Sequence, residues 1–128
     1  MVLTGSLPED EFQFHATAVY ASGGMVLSGD DLTKIPPDRL AMLRKLLPPS
    51  GVAAEFADDS LRAGLMKLPD REMICMFNWD AAPRTVSARL PREVRVTDYW
   101  SGEDLGVRKG GLVIRDMPPH SARLFVCK

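Results

Sequence analysis

The stretch Pro48-Pro49-Ser50-Gly51 constrains this chain more than any other. A proline inside a helix removes a backbone donor and clashes with the preceding turn, so two in succession followed by Ser-Gly end any helix that reaches them. Before this break, apolar residues recur at helical spacing. After it, short apolar runs alternate with Gly, Pro and Asp turns. Helices first and strands afterwards point to a mainly β, α+β chain with an antiparallel sheet, not to a doubly wound parallel one.

The first half reads as helix, strand, helix. Ser6-Leu7-Pro8-Glu9 has the form of a capping box, with Ser6 as the cap and Glu9 three residues on. Phe12, Ala16 and Val19, with His15 beside them, predict an amphipathic helix over residues 6–21, stopped by Gly23 and Gly24. Met25-Val26-Leu27 is then a short strand, left through Ser28-Gly29-Asp30-Asp31. Pro37 suits the first position of a second helix, with Asp38 in its first turn. Leu40, Leu43, Leu46 and Leu47 form its apolar stripe, and Arg39, Arg44 and Lys45 its polar side. Two carboxylates at the C-terminal end of a strand between helices is how one unit of a (β/α)₈ barrel looks.

In the second half, strands are expected over residues 61–68, 72–78, 84–90, 93–99, 111–115 and 121–127. Residues 72–77 are apolar on both parities and should form a central strand, whereas residues 84–90 alternate and should have one face on the core. The expectation is an antiparallel β-sandwich of about six to eight strands, preceded by a barrel-like helix–strand–helix. The division falls at residues 1–51 and 52–128.

Composition narrows the function. Sixteen basic against seventeen acidic residues leave a net charge of −1, which gives no support to nucleic-acid or anionic-membrane binding. No run approaches the roughly 18 apolar residues of a membrane span. The two cysteines, Cys75 and Cys127, lie far apart in apolar runs and make no zinc pattern; buried free thiols are expected, with a disulfide open if their strands are neighbours. His120 has no partner at ligand spacing, and Glu103-Asp104 and Asp58-Asp59 read as solvated turns. No metal or cofactor is expected.

Several motifs resemble one group of enzymes. Residues 18–32, Ala-Val-Tyr-Ala-Ser-Gly-Gly-Met-Val-Leu-Ser-Gly-Asp-Asp-Leu, are similar to the end of the catalytic barrel in the α-galactosidase (melibiase) glycoside hydrolases, with the Leu- and Arg-rich helix that follows. Phe77-Asn78-Trp79, Asp98-Tyr99-Trp100-Ser101-Gly102 and Pro118-Pro119-His120-Ser121 resemble stretches of that group's C-terminal β-sandwich, in the same order. The resemblance implies a C-terminal portion of a retaining glycosidase for α-linked sugars. It also implies that the nucleophile and the acid/base, both Asp on earlier barrel strands, have no counterpart in this chain. The implied partner is the rest of the catalytic barrel.

Candidate substrate-binding residues are Asp30, Asp31, Trp79 and Trp100. Asp30 and Asp31 could stand at the rim of a sugar pocket, or accept backbone N–H groups as turn formers. Adjacent turn residues point in different directions and cannot make the facing carboxylate pair of a glycosidase. Trp79, Tyr99 and Trp100 could stack sugars, or anchor the sandwich. A stand-alone carbohydrate-binding or protein-interaction module is the alternative. Self-association is a further expectation, through helix faces that an absent barrel would leave bare.

Overall fold

Strand β3, Glu72–Asn78, carries both cores, because all of its residues after Glu72 are buried. In the computed structural model, which describes residues 8–24, 33–47, 49–57, 59–90 and 92–128, it lies in the middle of the larger of two sheets. The other members of that sheet are β1 (Glu55–Phe56), β2 (Ala63–Lys67), β5 (Val94–Asp98), β6 (Asp104–Arg108) and β8 (Ser121–Cys127). They run in the order β1-β2-β3-β8-β5-β6, with antiparallel neighbours throughout. A two-stranded ribbon of β4 (Arg84–Arg89) and β7 (Gly111–Met117) completes the β structure.

Successive side chains on a strand point to opposite faces, and β3 uses both. Met73, Cys75 and Phe77 pack with Leu124 and Ala122 of β8 under the helices. Ile74 and Met76 pack with Phe125 and Cys127 under the ribbon, against Val86, Leu112 and Met117. The result is three layers: helices, large sheet, ribbon. The two-parity apolar run expected of a central strand has this physical origin.

The helical layer consists of α1 (Glu9–Ser22) and α2 (Pro37–Leu46). Phe12 and Ala16 of α1 are wholly buried and Tyr20 nearly so, all against the sheet. Burying side chains such as Phe12 is worth about 1.5–3 kcal/mol each. Phe12, Ala16 and Tyr20 of α1 are therefore covered within the chain, while Phe14, Ala18 and Val19 are half-buried. Acidic Glu9, Asp10 and Glu11 fill the first turn of α1, and Arg44 and Lys45 the last turn of α2, each matching the helix dipole.

The fold corrects several expectations. α1 begins at Glu9 with Pro8 in the cap position and no side-chain cap; Ser6, the expected cap, lies outside the described residues. The strand expected at Met25–Leu27, and Asp30 and Asp31 with it, also lie outside them. Pro37 does occupy the first turn of α2, but Arg39, assigned to the polar side, is buried at 8% exposure. Its guanidinium lies 4.3 Å from the centre of the Phe12 ring and 3.8 Å from Glu9 Oε1, so its long stem covers apolar surface while its charge stays paired. Leu47, placed on the apolar stripe, is exposed at 47%.

Strands β3 and β8 match their expected spans. β2 starts at Ala63, because Leu61 has φ +55° and cannot continue a strand. β1 and β6 went unpredicted. β1 has only two residues. β6 contains Gly106 at φ +79°, its N–H bonded to Asp104 Oδ1, opposite a register shift between Val96 and Thr97. A bulged edge strand carries no alternation to read, so Asp104, expected in a turn, opens a strand instead.

β3 and β8 are direct neighbours, yet Cys75 and Cys127 remain free thiols. Cys75 opposes Leu124 and Cys127 opposes Glu72, which puts the two sulfurs in different cores on opposite faces of the sheet.

Candidate functional site

The three sandwich motifs come together along the seam between α1 and the large sheet. Each has a chemical reason. Asn78 ends β3 buried at 1% exposure, and its amide Nδ2 donates to the carbonyls of Ala82, Met117 and Pro118 at 2.9–3.0 Å. Its Oδ1 accepts from the Asp80 N–H at 3.0 Å. One side chain thus closes two loops whose carbonyls would otherwise be unpaired. Ser121 Oγ adds a bond to the Pro118 carbonyl at 2.6 Å.

Asp98 Oδ1 accepts from the N–H groups of Trp100 and Ser101, both at 2.9 Å, and the Gly102 N–H donates to the Asp98 carbonyl at 2.9 Å. The turn that results, with Gly102 at φ +79°, holds Trp100 against α1. Its indole Nε1 donates to Thr17 Oγ1 at 3.0 Å, and Gln13 of the same helix donates from Nε2 to the Ala122 carbonyl at 3.0 Å. Gln13 and Thr17 were missed in the sequence. Their signal is a polar pair four residues apart on the stripe that also carries Phe12, Ala16 and Tyr20.

Lys45 Nζ donates to the carbonyls of both Tyr99 and Trp100, and the Tyr99 hydroxyl donates back to the Lys45 carbonyl. Tyr99 is pushed up to about 12, by burial first and then by Tyr20 at its side; Arg71 works in the opposite direction. Arg71 donates to the Tyr20 hydroxyl at 3.4 Å. Burial pushes both thiols, Cys75 and Cys127, up to about 11. Groups so far above neutral pH stay protonated and offer no general base or nucleophile. Among the described residues, no group of three or more His, Cys, Asp or Glu side chains is placed to hold a metal ion.

The candidate binding residues fall in separate places. Trp79 is 44% exposed. Its ring stacks on Phe77 with centroids 5.1 Å apart, meets Phe14 edge-on at 4.8 Å, and donates from Nε1 to the Leu61 carbonyl at 2.7 Å. Trp100 is half-buried and meets Tyr99 at 5.1 Å, with Tyr20 beyond. Trp79 therefore belongs to a cluster with Phe14 and Phe77, and Trp100 to one with Tyr99 and Tyr20. His120, in the third motif, has φ +49°, bonds the Asp80 carbonyl through its N–H at 3.3 Å, and has Nδ1 4.0 Å from Glu11 Oε1.

Compared with known proteins, the chain matches no family model and no curated protein. Solved structures do match. A GH27 β-L-arabinopyranosidase from Geobacillus stearothermophilus superposes with TM-score 0.82 at 18% identity, over 96% of this chain and 31% of that one. This chain shares the fold of the matched portion of that enzyme. α-Galactosidase I from Mortierella vinacea gives TM-score 0.76 at 18% identity, over 98% of this chain and 38% of that one. An isomalto-dextranase from Arthrobacter globiformis gives 0.77 at 16% identity, over 99% and 25% respectively. The chain thus spans between a quarter and two fifths of the length of these enzymes. The motif resemblance and the fold agree.

Proposed function

We propose that the chain is the C-terminal, structural portion of a retaining α-galactosidase-like glycoside hydrolase for α-linked sugars, and that it is catalytically silent by itself. The observation that carries this reading is the superposition of 96% of the chain on only 31% of a GH27 glycosidase. A catalytic barrel needs about 250 residues, which is the scale of what the remaining length of such an enzyme holds. In this reading residues 1–51 are the terminal barrel segment and residues 52–128 the accessory sandwich. The partner is the rest of the barrel, and Asp30 and Asp31 are candidates for its sugar-facing rim.

The chemistry of the seam supports a structural role. Asn78, Asp98, Trp100, Lys45 and Tyr99 spend their polar atoms on turns and on the contact between layers. Retaining hydrolysis needs two carboxylates about 5–5.5 Å apart across the scissile bond. Of the seam's residues, Asp98 has its Oδ1 committed to the backbone N–H groups of Trp100 and Ser101.

Two measurements test the proposal. The purified chain is expected to release no aryl group from an aryl α-galactoside above an enzyme-free blank. The reading frame upstream of Met1 is expected to encode about 250 further residues, with Asp at two earlier strand ends. Turnover by the chain alone that survives Asp30→Asn and Asp31→Asn would sink the reading. A stop codon directly upstream, together with glycan retention lost in Trp79→Ala, would favour the stand-alone module.

A further inference from the structure

The ribbon has two strands, so β4 is hydrogen-bonded on one side only, to β7. The register shows which of its backbone groups are spent there. Leu90 donates its N–H to the Gly110 carbonyl at 3.1 Å, and Ala88 and Val86 stand opposite Leu112 and Ile114 in step with that bond. In an antiparallel pair only every second residue turns its N–H and C=O toward its partner. Val86, Ala88 and Leu90 therefore bond β7, while Ser87 and Arg89 hold their N–H and C=O outward along the free edge. Side chains alternate in the other sense. Val86 and Leu90 are buried and Ala88 half-buried against the large sheet, so the exposed Ser87 and Arg89 side chains point to solvent. Yet both residues line a hollow of about 320 Å³ beside β4, and Ser87 an adjoining one of about 210 Å³ that continues past Val86 and Thr85. With their side chains turned away, what they present to this groove is backbone. Across it, Leu65 and Ala63 of β2 oppose Ile74 and Met76 in register and so face the ribbon.

We propose that this edge takes up an extended acidic peptide as a third strand of the ribbon. In strand addition, backbone bonds to a free edge supply affinity and alternate side chains supply specificity. On the inward parity the added strand meets Leu65 and Ala63, which calls for apolar side chains. Glu55, opposite Leu65 in register, stands on the same face and excludes acids from that parity. On the outward parity the added strand lies beside Arg89, which calls for a carboxylate. A second copy of β4 fits poorly. The strand carries Arg84 and Arg89 and no acid, so two copies edge to edge bring like charges together. The ribbon lies across the sheet from α1 and α2, so the groove uses neither the helices nor the seam that carries the three motifs.

The site does not depend on the parent-enzyme reading, since it requires no turnover and no barrel. The test is amide hydrogen exchange, read by NMR on the chain, with a short peptide alternating Val and Glu and a second alternating Val and Lys. In the free chain the Ser87 and Arg89 amides should exchange fast and those of Val86 and Ala88 slowly. The Val–Glu peptide should bind saturably and slow exchange at Ser87 and Arg89, and the Val–Lys peptide should bind several-fold more weakly. Ser87→Pro removes an outward N–H that no ladder bond uses, so binding should be lost with the thermal midpoint nearly unchanged. Arg89→Glu, at an exposed position, should reverse the preference between the two peptides. Unchanged exchange at Ser87 and Arg89, equal affinity for both peptides, or binding that survives Ser87→Pro would each overturn the proposal. Slowing of the same two amides by raised protein concentration alone would overturn it too, by assigning the edge to a second copy.

Discussion

Trp100 and Thr17 are 83 residues apart in sequence and joined by one hydrogen bond, from the indole Nε1 to the threonine Oγ1 at 3.0 Å. The same hydroxyl donates to the Gln13 carbonyl at 2.7 Å, so Thr17 both accepts and donates at a position with no solvent exposure. This bond fastens the turn after β5 to the middle of α1. Thr17→Val keeps the shape but removes both functions, leaving the indole N–H without its acceptor. A loss of about 1–3 kcal/mol is expected from urea unfolding, the range for an orphaned buried donor. Trp100→Phe combined with Thr17→Val should cost less than the sum of the two, since each change alone already breaks the bond.

Asn78 carries a heavier load. Its Nδ2 has two hydrogens and faces three carbonyls, on both loops at the end of the sheet. Asn78→Leu should cost about 3 kcal/mol or more, because several buried acceptors lose their donor together. Asn78→Asp is more informative. Its carboxylate would face carbonyl oxygens in a buried site, so the folded-state pKa must rise above the unfolded value of about 3.9. The stability of that variant should then be greatest below about pH 4 and fall as the pH rises through the folded pKa. A chemical-denaturation series against pH reads this directly, and a flat profile would contradict the assignment of the amide.

Two glycines separate backbone strain from steric overlap. Gly23 has φ +68° and Gly51 φ +70°, so each needs the left-handed conformation that other residues adopt at a cost of roughly 1–2 kcal/mol. A Cβ at Gly51 would meet nothing, whereas one at Gly23 would lie 2.4 Å from the Val52 carbonyl carbon. Gly51→Ala should therefore cost about 1 kcal/mol and Gly23→Ala clearly more, since backbone must move to admit the methyl. Equal losses in thermal unfolding would show that the close approach of Val52 to the end of α1 is not held in solution.

The two thiols give a pH signature. Burial raises both Cys75 and Cys127 from the ordinary value of 9.0 to about 11. The unfolded chain thus releases these protons before the folded one, so stability is complete below about pH 9 and declines as the pH passes through 11. Replacing both by Ala should flatten that decline. At neutral pH neither thiol should react with a thiol reagent unless the chain unfolds, and no intramolecular disulfide should form under oxidising conditions. Labelling at the rate of an unstructured cysteine would contradict the burial.

Much of the second half was legible because its signals are local. The two-parity run of β3 announced a strand buried on both faces. Ser101-Gly102 announced a turn, since Ser and Gly act on their own neighbourhood. β6 was not legible, because Gly106 and the register shift opposite it replace alternation with a bulge. Arg39 was misplaced for a related reason. Charge predicts exposure, but a guanidinium over the Phe12 ring with Glu9 beside it can be buried, and neither partner is visible from the residues around Arg39.

Alone, the sequence determined that helices precede strands, with the break at Pro48-Pro49-Ser50-Gly51, the central strand, and the resemblance to a glycosidase. These follow from propensity, periodicity and turn chemistry, which act over a few residues. Tertiary structure decided which face of β3 meets the helices and which meets the ribbon, and so that Cys75 and Cys127 stand on opposite sides of adjacent strands. It decided that Trp79 remains half in solvent while Trp100 is tied to Thr17. The physical reason is register. Shifting a strand by a single residue exchanges its two faces, and that choice is made by the packing of whole layers, not by any residue's neighbours in the chain.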